Sequence, residues 1–127
     1  YGWHVDMAVM NGQRTDMSFT LCLSDDDSYS GGELDLDYGT HKATVKLKNG
    51  QMVLYPTGVL HQVREVTDGK RLVIVGWVNS LIRNHDDREA LVKFSAEIQR
   101  VKTLVKDPED MNQLNYLYQH FKRKFSD

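Results

Sequence analysis

A histidine and an aspartate two residues apart, His4 and Asp6, are the first side chains in this sequence that could hold a metal ion. In an extended segment, residues i and i+2 project to the same side of the backbone, so the imidazole and the carboxylate would lie side by side. A second imidazole from a distant strand would complete a facial set of two histidines and one carboxylate, which leaves three adjacent positions of an octahedral Fe(II) open. His61 is the candidate for that third ligand.

The His-x-Asp pattern alone is weak evidence, because so short a pattern more often marks two solvated or turn residues. Two further features favour a metal site. His61 lies in an apolar-rich segment, residues 54–63, where an imidazole without a polar partner would be costly. Arg71 stands directly before an apolar run, residues 72–77, that has little reason to begin with a fixed cation. Together these residues suggest a functional site.

Several segments, in this order and spacing, resemble the PKHD-type hydroxylases of bacteria, which are relatives of prolyl 4-hydroxylase among the Fe(II)- and 2-oxoglutarate-dependent dioxygenases. The segments are HVD at 4–6, RTDMSFTLCLSD at 14–25, SYSGGEL at 28–34, VKLKNGQMVLYP at 45–56 and LHQVREVTDGKR at 60–71, followed by Trp77. The resemblance extends over nearly the whole chain, and the combination is much more specific than any single motif.

The resemblance implies that His4, Asp6 and His61 hold Fe(II) and that Arg71 binds the far carboxylate of 2-oxoglutarate. A guanidinium suits that role because it can engage a carboxylate through two parallel, charge-assisted hydrogen bonds. Second candidates for lining the cosubstrate pocket are Thr20, Cys22, Tyr55 and Trp77, and candidates for its border are Tyr1 and Trp3. Relatives often carry a tyrosine where Cys22 falls, so the polar contacts to 2-oxoglutarate are expected to differ in this chain.

The reaction implied by the resemblance decarboxylates 2-oxoglutarate to succinate and CO2 and uses O2 to hydroxylate a C–H bond of a second, prime substrate. Ascorbate is implied as the reductant that restores Fe(II) after uncoupled turnover. The prime substrate stays open. Family kinship suggests a prolyl residue in a protein, and a free amino acid, a peptide or an iron-chelating small molecule is equally compatible with the residues.

Two other functions have to be weighed against the hydroxylase. AlkB-like oxidative demethylases of nucleic acids resemble one another in a second arginine six residues after the first, and here that position holds Trp77. Cupin-like proteins usually present His-x-His where this chain has His4-x-Asp6, which favours the oxygenase. A metal-binding jelly-roll module without catalysis remains an alternative.

Composition limits the partners. A chain of 127 residues with 40% hydrophobic and 27% charged residues is ordinary for one globular domain. The net charge of -2 and the absence of a basic cluster in the half that carries the candidate site argue against nucleic acid. No stretch approaches the ~20 apolar residues of a membrane span. The single cysteine excludes an intrachain disulfide and fits the reducing cytoplasm.

Residues 1–81 show the pattern of a mainly β domain, with short apolar or alternating runs separated by Gly, Asn, Asp and Ser. We expect about seven strands of a double-stranded β-helix, or jelly roll. The resemblance places its first strand before Tyr1, in keeping with a chain that lacks an initiator Met and looks like the C-terminal part of a longer protein. Residues 24–32 are expected to form a loop, and Asn49-Gly50 and Asp68-Gly69 to form hairpin turns. The second turn would place His61 and Arg71 on successive antiparallel strands.

Residues 17–23 alternate between apolar and small polar side chains. The apolar set is expected to pack against the core of the fold, and it consists of Met17, Phe19, Leu21 and Leu23. The polar set is expected to line the interior beside the metal, and it consists of Ser18, Thr20 and Cys22.

After residue 81 the apolar period changes to that of helices. One helix is predicted over residues 87–105, and a second begins at Pro108 after Asp107 as its N-cap. Residues 82–127 would therefore form a helical extension whose apolar stripes need a partner. They could cap the barrel, cover an N-terminal portion of the longer protein or form a homodimer contact.

Overall fold

The structure, a computed structural model, describes residues 2–127, so the candidate role of Tyr1 lies outside the described residues. It has two compact units, Tyr1–Asn79 and Ser80–Asp127. The first unit contains β-strands and the second contains helices, as the change of apolar period near residue 81 predicts. The chain is therefore mainly β with a C-terminal helix pair, the fold class expected from the sequence.

Within residues 2–79 there are ten strands rather than about seven, because several of them are too short to be recognised by pattern. In chain order they are β1 Val9–Met10, β2 Gln13–Arg14, β3 Met17–Cys22, β4 Tyr29–Gly31, β5 Leu34–Asp37, β6 Lys42–Val45, β7 Met52–Pro56, β8 Leu60–Val63, β9 Val66–Gly69 and β10 Val73–Val78. Two antiparallel sheets have the orders β10-β3-β7 and β6-β5-β8, and β1-β2 and β4-β9 form separate pairs.

Two of the expected hairpins are wrong. A turn does form at Asn49-Gly50, where the amide of Gln51 donates to the carbonyl of Lys48 at 3.0 Å, but the strands on either side, β6 and β7, belong to different sheets. Asp68-Gly69 lies inside β9, which pairs with β4. The segment 24–32 is therefore not entirely a loop. The same turn residues occur in hairpins and in segments that cross from one sheet to the other. They therefore do not specify which strands pair.

The expectation for the two faces of β3 is half right. Ser18, Thr20 and Cys22 are buried, as expected of side chains that line an interior. The apolar set is not the more buried one, since Met17, Phe19 and Leu21 are half-buried and Leu23 is exposed. The main apolar cluster of this unit lies elsewhere, around Leu34, Leu36 and Tyr55 of β5 and β7, with partly buried Ala43, Val45, Val53, Val59 and Val63 packed against it.

The other face of β5 carries a buried carboxylate, Asp35, that holds the sheet β6-β5-β8 together. Arg64 donates to it from Nε at 2.8 Å and from a terminal nitrogen at 3.0 Å, while Thr44 of β6 and Gln62 of β8 donate at 2.7 and 2.9 Å. The hydrogen bonds from Arg64, supported by those from Gln62 and Thr44, outweigh burial and lower the pKa of Asp35 to about 2.

Because its pKa is lower in the folded protein, Asp35 contributes stability that is present above its unfolded pKa of about 4 and is lost as the pH falls toward about 2. Asp35→Asn is therefore expected to lower the midpoint of thermal unfolding by several degrees at pH 7. This loss should become progressively smaller as the pH falls from about 4 to about 2. Asp37→Asn on the same face of β5 is the control. Equal losses for Asp35→Asn at pH 7 and at pH 2 would contradict this prediction.

The helical unit contains α1 His85–Lys102, a short 3₁₀ helix Pro108–Met111 and α2 Asn112–Phe125. The predicted cap at Asp107 is confirmed, since its carboxylate accepts from the amide of Glu109 at 3.0 Å. Phe94 of α1 packs edge to face on Tyr118 of α2, with ring centroids 5.7 Å apart. No helix within residues 2–127 combines the length and the apolar character needed to cross a membrane.

Candidate metal centre

The two candidate histidine ligands are direct backbone partners. His4 forms an isolated antiparallel bridge with His61, and each amide donates to the carbonyl of the other at 2.9 Å. Side chains of directly opposed residues project to the same face of an antiparallel pair. The two imidazole rings accordingly lie with centroids 4.3 Å apart.

Asp6 completes a convergent set of three ligand atoms. Its Oδ1 lies 3.5 Å from Nε2 of His4 and 3.5 Å from Nε2 of His61, and all three atoms are within 4.8 Å of one another. Two ligand atoms that are each ~2.1 Å from one metal ion are about 3.0 Å apart at right angles and about 4.2 Å apart when opposite. The observed separations are therefore close to those of adjacent ligands on one ion.

Hydrogen bonds orient both imidazoles for metal binding. Nδ1 of His4 lies 2.7 Å from the carbonyl of Gly2, and Nδ1 of His61 lies 2.8 Å from the carbonyl of Val59. A carbonyl oxygen can only accept, so each Nδ1 carries a proton and donates it, and each Nε2 faces Asp6, where a neutral ring would offer its lone pair to a metal ion. A metal-binding histidine usually has such a partner on its other ring nitrogen.

The second oxygen of Asp6 is occupied by other groups. Its Oδ2 accepts from the hydroxyl of Ser18 at 2.9 Å and from the indole nitrogen of Trp77 at 3.0 Å. These two donors are themselves neighbours, since Trp77 of β10 is directly opposite Ser18 of β3. Oδ1 is thereby left to face the imidazoles.

The three ligand atoms open into a cavity of about 610 Å³ between the two sheets. Its walls combine polar side chains with an apolar majority. Besides the ligands they include Ser18, Thr20, Tyr55 and Arg71, together with Leu34, Val63, Val66, Val73, Val75 and Trp77. His61 and Arg71 therefore face one interior. They are not on the successive antiparallel pair that the sequence suggested, because Arg71 precedes β10, and β8 and β10 belong to different sheets.

A narrow inner recess adjoins this cavity and contains Arg71, Cys22 and Tyr29. Tyr29 is only 4% exposed, and its hydroxyl lies near enough to the Arg71 guanidinium and the Cys22 thiol for both to influence its pKa. Burial raises the pKa of Tyr29, and the Cys22 thiol adds to that effect while the Arg71 cation opposes it. The recess thus presents one fixed cation and one neutral phenol.

Tyr55 adds a second phenol, on the ligand side of the cavity. Its ring packs against His61 with centroids 5.1 Å apart, and it lines the cavity together with Thr20 and Ser18. Burial, assisted by the nearby charge of Asp6, raises the pKa of Tyr55 to about 12. Tyr55 is therefore a neutral hydrogen-bonding group that can donate or accept inside the cavity.

Comparison with known proteins identifies the first unit. Residues 1–79 match the family described as the 2OG-Fe(II) oxygenase superfamily, which is more than half of the chain. The chain belongs to this superfamily. The resemblance found in the sequence is confirmed, and the superfamily implies Fe(II) and 2-oxoglutarate as metal and cosubstrate.

Individual members of the superfamily are similar to the chain over much of its length. A PKHD-type hydroxylase of Maricaulis maris is 53% identical over 72% of this chain and 42% of that protein. A PKHD-type hydroxylase of Stenotrophomonas maltophilia is 42% identical over 100% of this chain and 59% of that protein. The chain therefore spans about half the length of the curated relatives it matches.

A solved structure supports the fold. The crystal structure of an oxidoreductase of the 2OG-Fe(II) oxygenase family from Burkholderia pseudomallei superimposes with a TM-score of 0.51, at 23% identity, over 60% of this chain and 34% of that chain. This similarity agrees with the jelly-roll arrangement of two facing sheets in the first unit.

The donor set fits the iron of the superfamily. Two neutral imidazoles and one carboxylate are the facial set of non-haem Fe(II) oxygenases, and here all three converge with their remaining polar atoms bonded to other groups. Of the remaining candidates, Thr20, Cys22 and Tyr55 line the cavity or its recess. Trp77 contacts Asp6, and the lining of the cavity does not include Trp3, which is 42% exposed.

Sequence reasoning missed Tyr29, which was assigned to a loop. The available signal was an aromatic residue directly before the Ser-Gly-Gly of the SYSGGEL motif. Gly31 and Gly32 have positive φ values of 75° and 72°, and a Cβ on Gly31 would clash with the carbonyl oxygen of Glu65. The two glycines allow β4 to pair with β9 and so bring Tyr29 into the recess.

Gly32→Ala should disturb the recess of this superfamily member directly. A Cβ on Gly32 would lie 2.7 Å from Cδ of Arg71, in addition to the roughly 1–2 kcal/mol that a left-handed backbone costs a residue with a side chain. Gly50→Ala is the matched control, since Gly50 has φ 83° and open space where its Cβ would be. We expect Gly32→Ala to lower the thermal midpoint clearly more than Gly50→Ala. Equal losses would show that Arg71 moves aside without cost.

Proposed function

We propose that the protein is an Fe(II)- and 2-oxoglutarate-dependent dioxygenase that hydroxylates a prime substrate in the manner of the PKHD-type hydroxylases. The observation that carries the proposal is the convergence of His4 Nε2, His61 Nε2 and Asp6 Oδ1 at the wall of a cavity that also contains Arg71. The units are assigned accordingly, with residues 1–81 as the catalytic core and residues 82–127 as its helical extension.

Each ligand has a definite task in this proposal. His4 and His61 would bind the iron through Nε2 as neutral rings, and Asp6 would bind it through Oδ1 and offset part of its charge. Bound Fe(II) would supply a site at which O2 and 2-oxoglutarate react to yield succinate, CO2 and an oxidant for a C–H bond. The chain holds the ligands through the carbonyls of Gly2 and Val59 and leaves one side open to the cavity.

Arg71 is proposed to bind the carboxylate of 2-oxoglutarate farther from the metal. Two parallel N–H bonds from a guanidinium match a carboxylate, and the recess around Arg71 excludes much of the competing water. The Tyr29 hydroxyl beside Arg71 is positioned to donate to the same carboxylate. Relatives often have a tyrosine at the position of Cys22, whose thiol is only a weak hydrogen-bond donor. Tyr29 would supply the hydroxyl donor that Cys22 cannot.

The wider part of the cavity is proposed to admit the prime substrate. Its apolar walls and its volume of about 610 Å³ fit a side chain or a small molecule, with a protein prolyl residue, a peptide and a free small molecule as the classes to test. An AlkB-like demethylase is less well supported, since Trp77 has the place of the second arginine of that class and is bonded to Asp6.

Three further expectations are part of the proposal. Ascorbate would act as the reductant that restores Fe(II) after uncoupled turnover. The helix pair of residues 82–127 would contact a partner, for which a homodimer contact, the barrel and an N-terminal portion of the longer protein stay as alternatives. The single cysteine, Cys22, is buried and free, which fits a reducing cytoplasm as the location.

The test is succinate formation without a prime substrate. Protein supplied with Fe(II), 2-oxoglutarate and O2 is expected to form succinate slowly, and omission of any one of the three is expected to stop it. Replacement of Fe(II) by Zn(II), which does not change its redox state, should stop turnover and leave 2-oxoglutarate binding intact. Addition of ascorbate should prolong the succinate progress curve.

If succinate does not form, binding of Co(II) and 2-oxoglutarate decides between the remaining functions. Binding of both with no turnover would indicate an oxygenase that waits for its prime substrate, and candidate prolyl peptides would then be added to the assay. If neither Co(II) nor 2-oxoglutarate binds, the catalytic proposal is wrong and a jelly-roll module without catalysis takes its place.

A further inference from the structure

We infer that Trp77 and Ser18 act together as positioning residues that make Asp6 a one-oxygen metal ligand. The inference rests on the proposed metal site and extends it to two residues outside the ligand set. Both side chains bind Oδ2 of Asp6, while Oδ1 is the oxygen that faces the two imidazoles.

The direction of each hydrogen bond follows from the donors available. An indole N–H can only donate, so Trp77 gives its proton to Oδ2 at 3.0 Å. The hydroxyls of Ser18 and Thr57 are 3.2 Å apart, and each has one proton. Because the carboxylate of Asp6 can only accept, Ser18 donates to Oδ2 at 2.9 Å and takes its own hydrogen bond from Thr57. Oδ2 is thus held by two donors.

The register of the sheet produces this arrangement. Tyr55 of β7, Ser18 of β3 and Trp77 of β10 lie directly opposite one another across three strands, so their side chains share the face that lines the cavity. Asp6 lies against the middle of this row and is only 15% exposed in its side chain. A carboxylate in that position cannot rotate without breaking hydrogen bonds to two different strands.

The consequence concerns how many positions the carboxylate would occupy on a metal. An unrestrained carboxylate can bind through one oxygen or through both. Binding through both would use one of the three adjacent positions that a facial set of two histidines and one carboxylate leaves open. By holding Oδ2, Trp77 and Ser18 favour binding through Oδ1 alone and preserve that open face.

The part of Trp77 that matters here is its N–H group. The Trp77 side chain is 38% exposed, so a phenylalanine would retain most of its packing contacts. The phenylalanine would lack the N–H group that donates to Asp6. Groups that orient a metal ligand typically change metal affinity 10- to 100-fold when removed, so Trp77→Phe is expected to weaken Co(II) binding by about 10- to 100-fold. Ser18→Ala should act in the same direction with a smaller change of volume.

The experiment is a titration of the metal-free chain with Co(II), followed by its visible absorption. Trp3→Phe is the matched control, because Trp3 is the other tryptophan and lies outside the cavity lining. In the Trp3→Phe chain all tryptophan emission comes from Trp77, and Co(II) should quench it. Trp3→Phe should bind Co(II) within about twofold of the wild type, well below the 10- to 100-fold effect of a lost orienting group.

The thermal midpoint of the metal-free chain separates positioning from a merely structural role. The inference predicts similar midpoints for Trp77→Phe and Trp3→Phe, a large loss of Co(II) affinity in the first only, and a changed Co(II) absorption band. It is overturned if Trp77→Phe and Ser18→Ala both bind Co(II) like the wild type, or if affinity and metal-free stability fall in parallel. Failure of the wild type to bind Co(II) would instead refute the metal site and the proposed function with it.

Discussion

Replacing His61 by alanine is expected to abolish succinate formation and to weaken Co(II) binding by more than about 100-fold, beyond the usual effect of losing a group that only orients a ligand. His61 supplies one of the three converging ligand atoms, and its ring is the most buried of the three side chains. With His61 gone, His4 and Asp6 would remain as a pair, which cannot form a facial set. Co(II) titration and succinate release by the variant are the measurements.

His41→Ala is the matched control for that prediction, since His41 is exposed and stacks on Tyr38 in the same unit. It should leave Co(II) binding and succinate formation unchanged. His61 is itself 4% exposed, so its removal also leaves a void, and His4→Ala provides a second ligand variant at a more exposed site. Retention of Co(II) binding in both ligand variants would show that the three residues do not form a metal site.

The sequence predicts some of the three candidate ligands more directly than others. His4 and Asp6 follow from local spacing, because alternation along an extended backbone places i and i+2 on one side. His61 is far away in sequence, and only the apolar segment around it and the order of the motifs pointed to it. That His4 and His61 are direct bridge partners depends on long-range strand pairing, which neither local pattern encodes.

Strand pairing was the weakest part of the sequence-based prediction. Asp68-Gly69 has the composition of a hairpin turn, yet it lies in β9, and β9 pairs with the short strand β4. Residues 24–32 are polar and rich in small residues, so their composition favours a loop. The strand within them forms because Gly31 and Gly32 tolerate positive φ and the close approach of Glu65 and Arg71.

The inverted burial of β3 has a physical reason that also lies outside the local pattern. Alternation correctly separated the two faces, and the polar face does line the interior, but the apolar face was expected to pack against the core and is the less buried of the two. Ser18 is buried because its hydroxyl is bonded to Asp6 and Thr57, which removes most of the cost of burying a polar group. The sequence does not show these hydrogen bonds, because Asp6 and Thr57 are distant from Ser18 along the chain and approach it only in the folded protein.

Replacing Arg71 by methionine is expected to raise the KM for 2-oxoglutarate by about 100-fold or more while leaving kcat at saturation much less affected. A charge-assisted hydrogen bond contributes roughly 1.5–3 kcal/mol, and two of them in a recess would be lost together. Arg71 lines the recess, whose walls do not include the three ligands, so its loss is expected to remove binding that is similar in the ground and transition states. The measurement is initial succinate release over a range of 2-oxoglutarate concentrations.

Three variants make this result specific to the guanidinium. Arg71→Lys keeps the charge and loses the planar pair of donors, so its KM should fall between those of the wild type and Arg71→Met. Tyr29→Phe should raise the KM by a smaller factor, since one neutral hydrogen bond contributes about 1 kcal/mol. Exposed Arg83, in the helical unit, provides the control, and Arg83→Met should leave the KM unchanged. An unchanged KM in Arg71→Met would mean that 2-oxoglutarate binds elsewhere, because this substitution removes the cation of the recess.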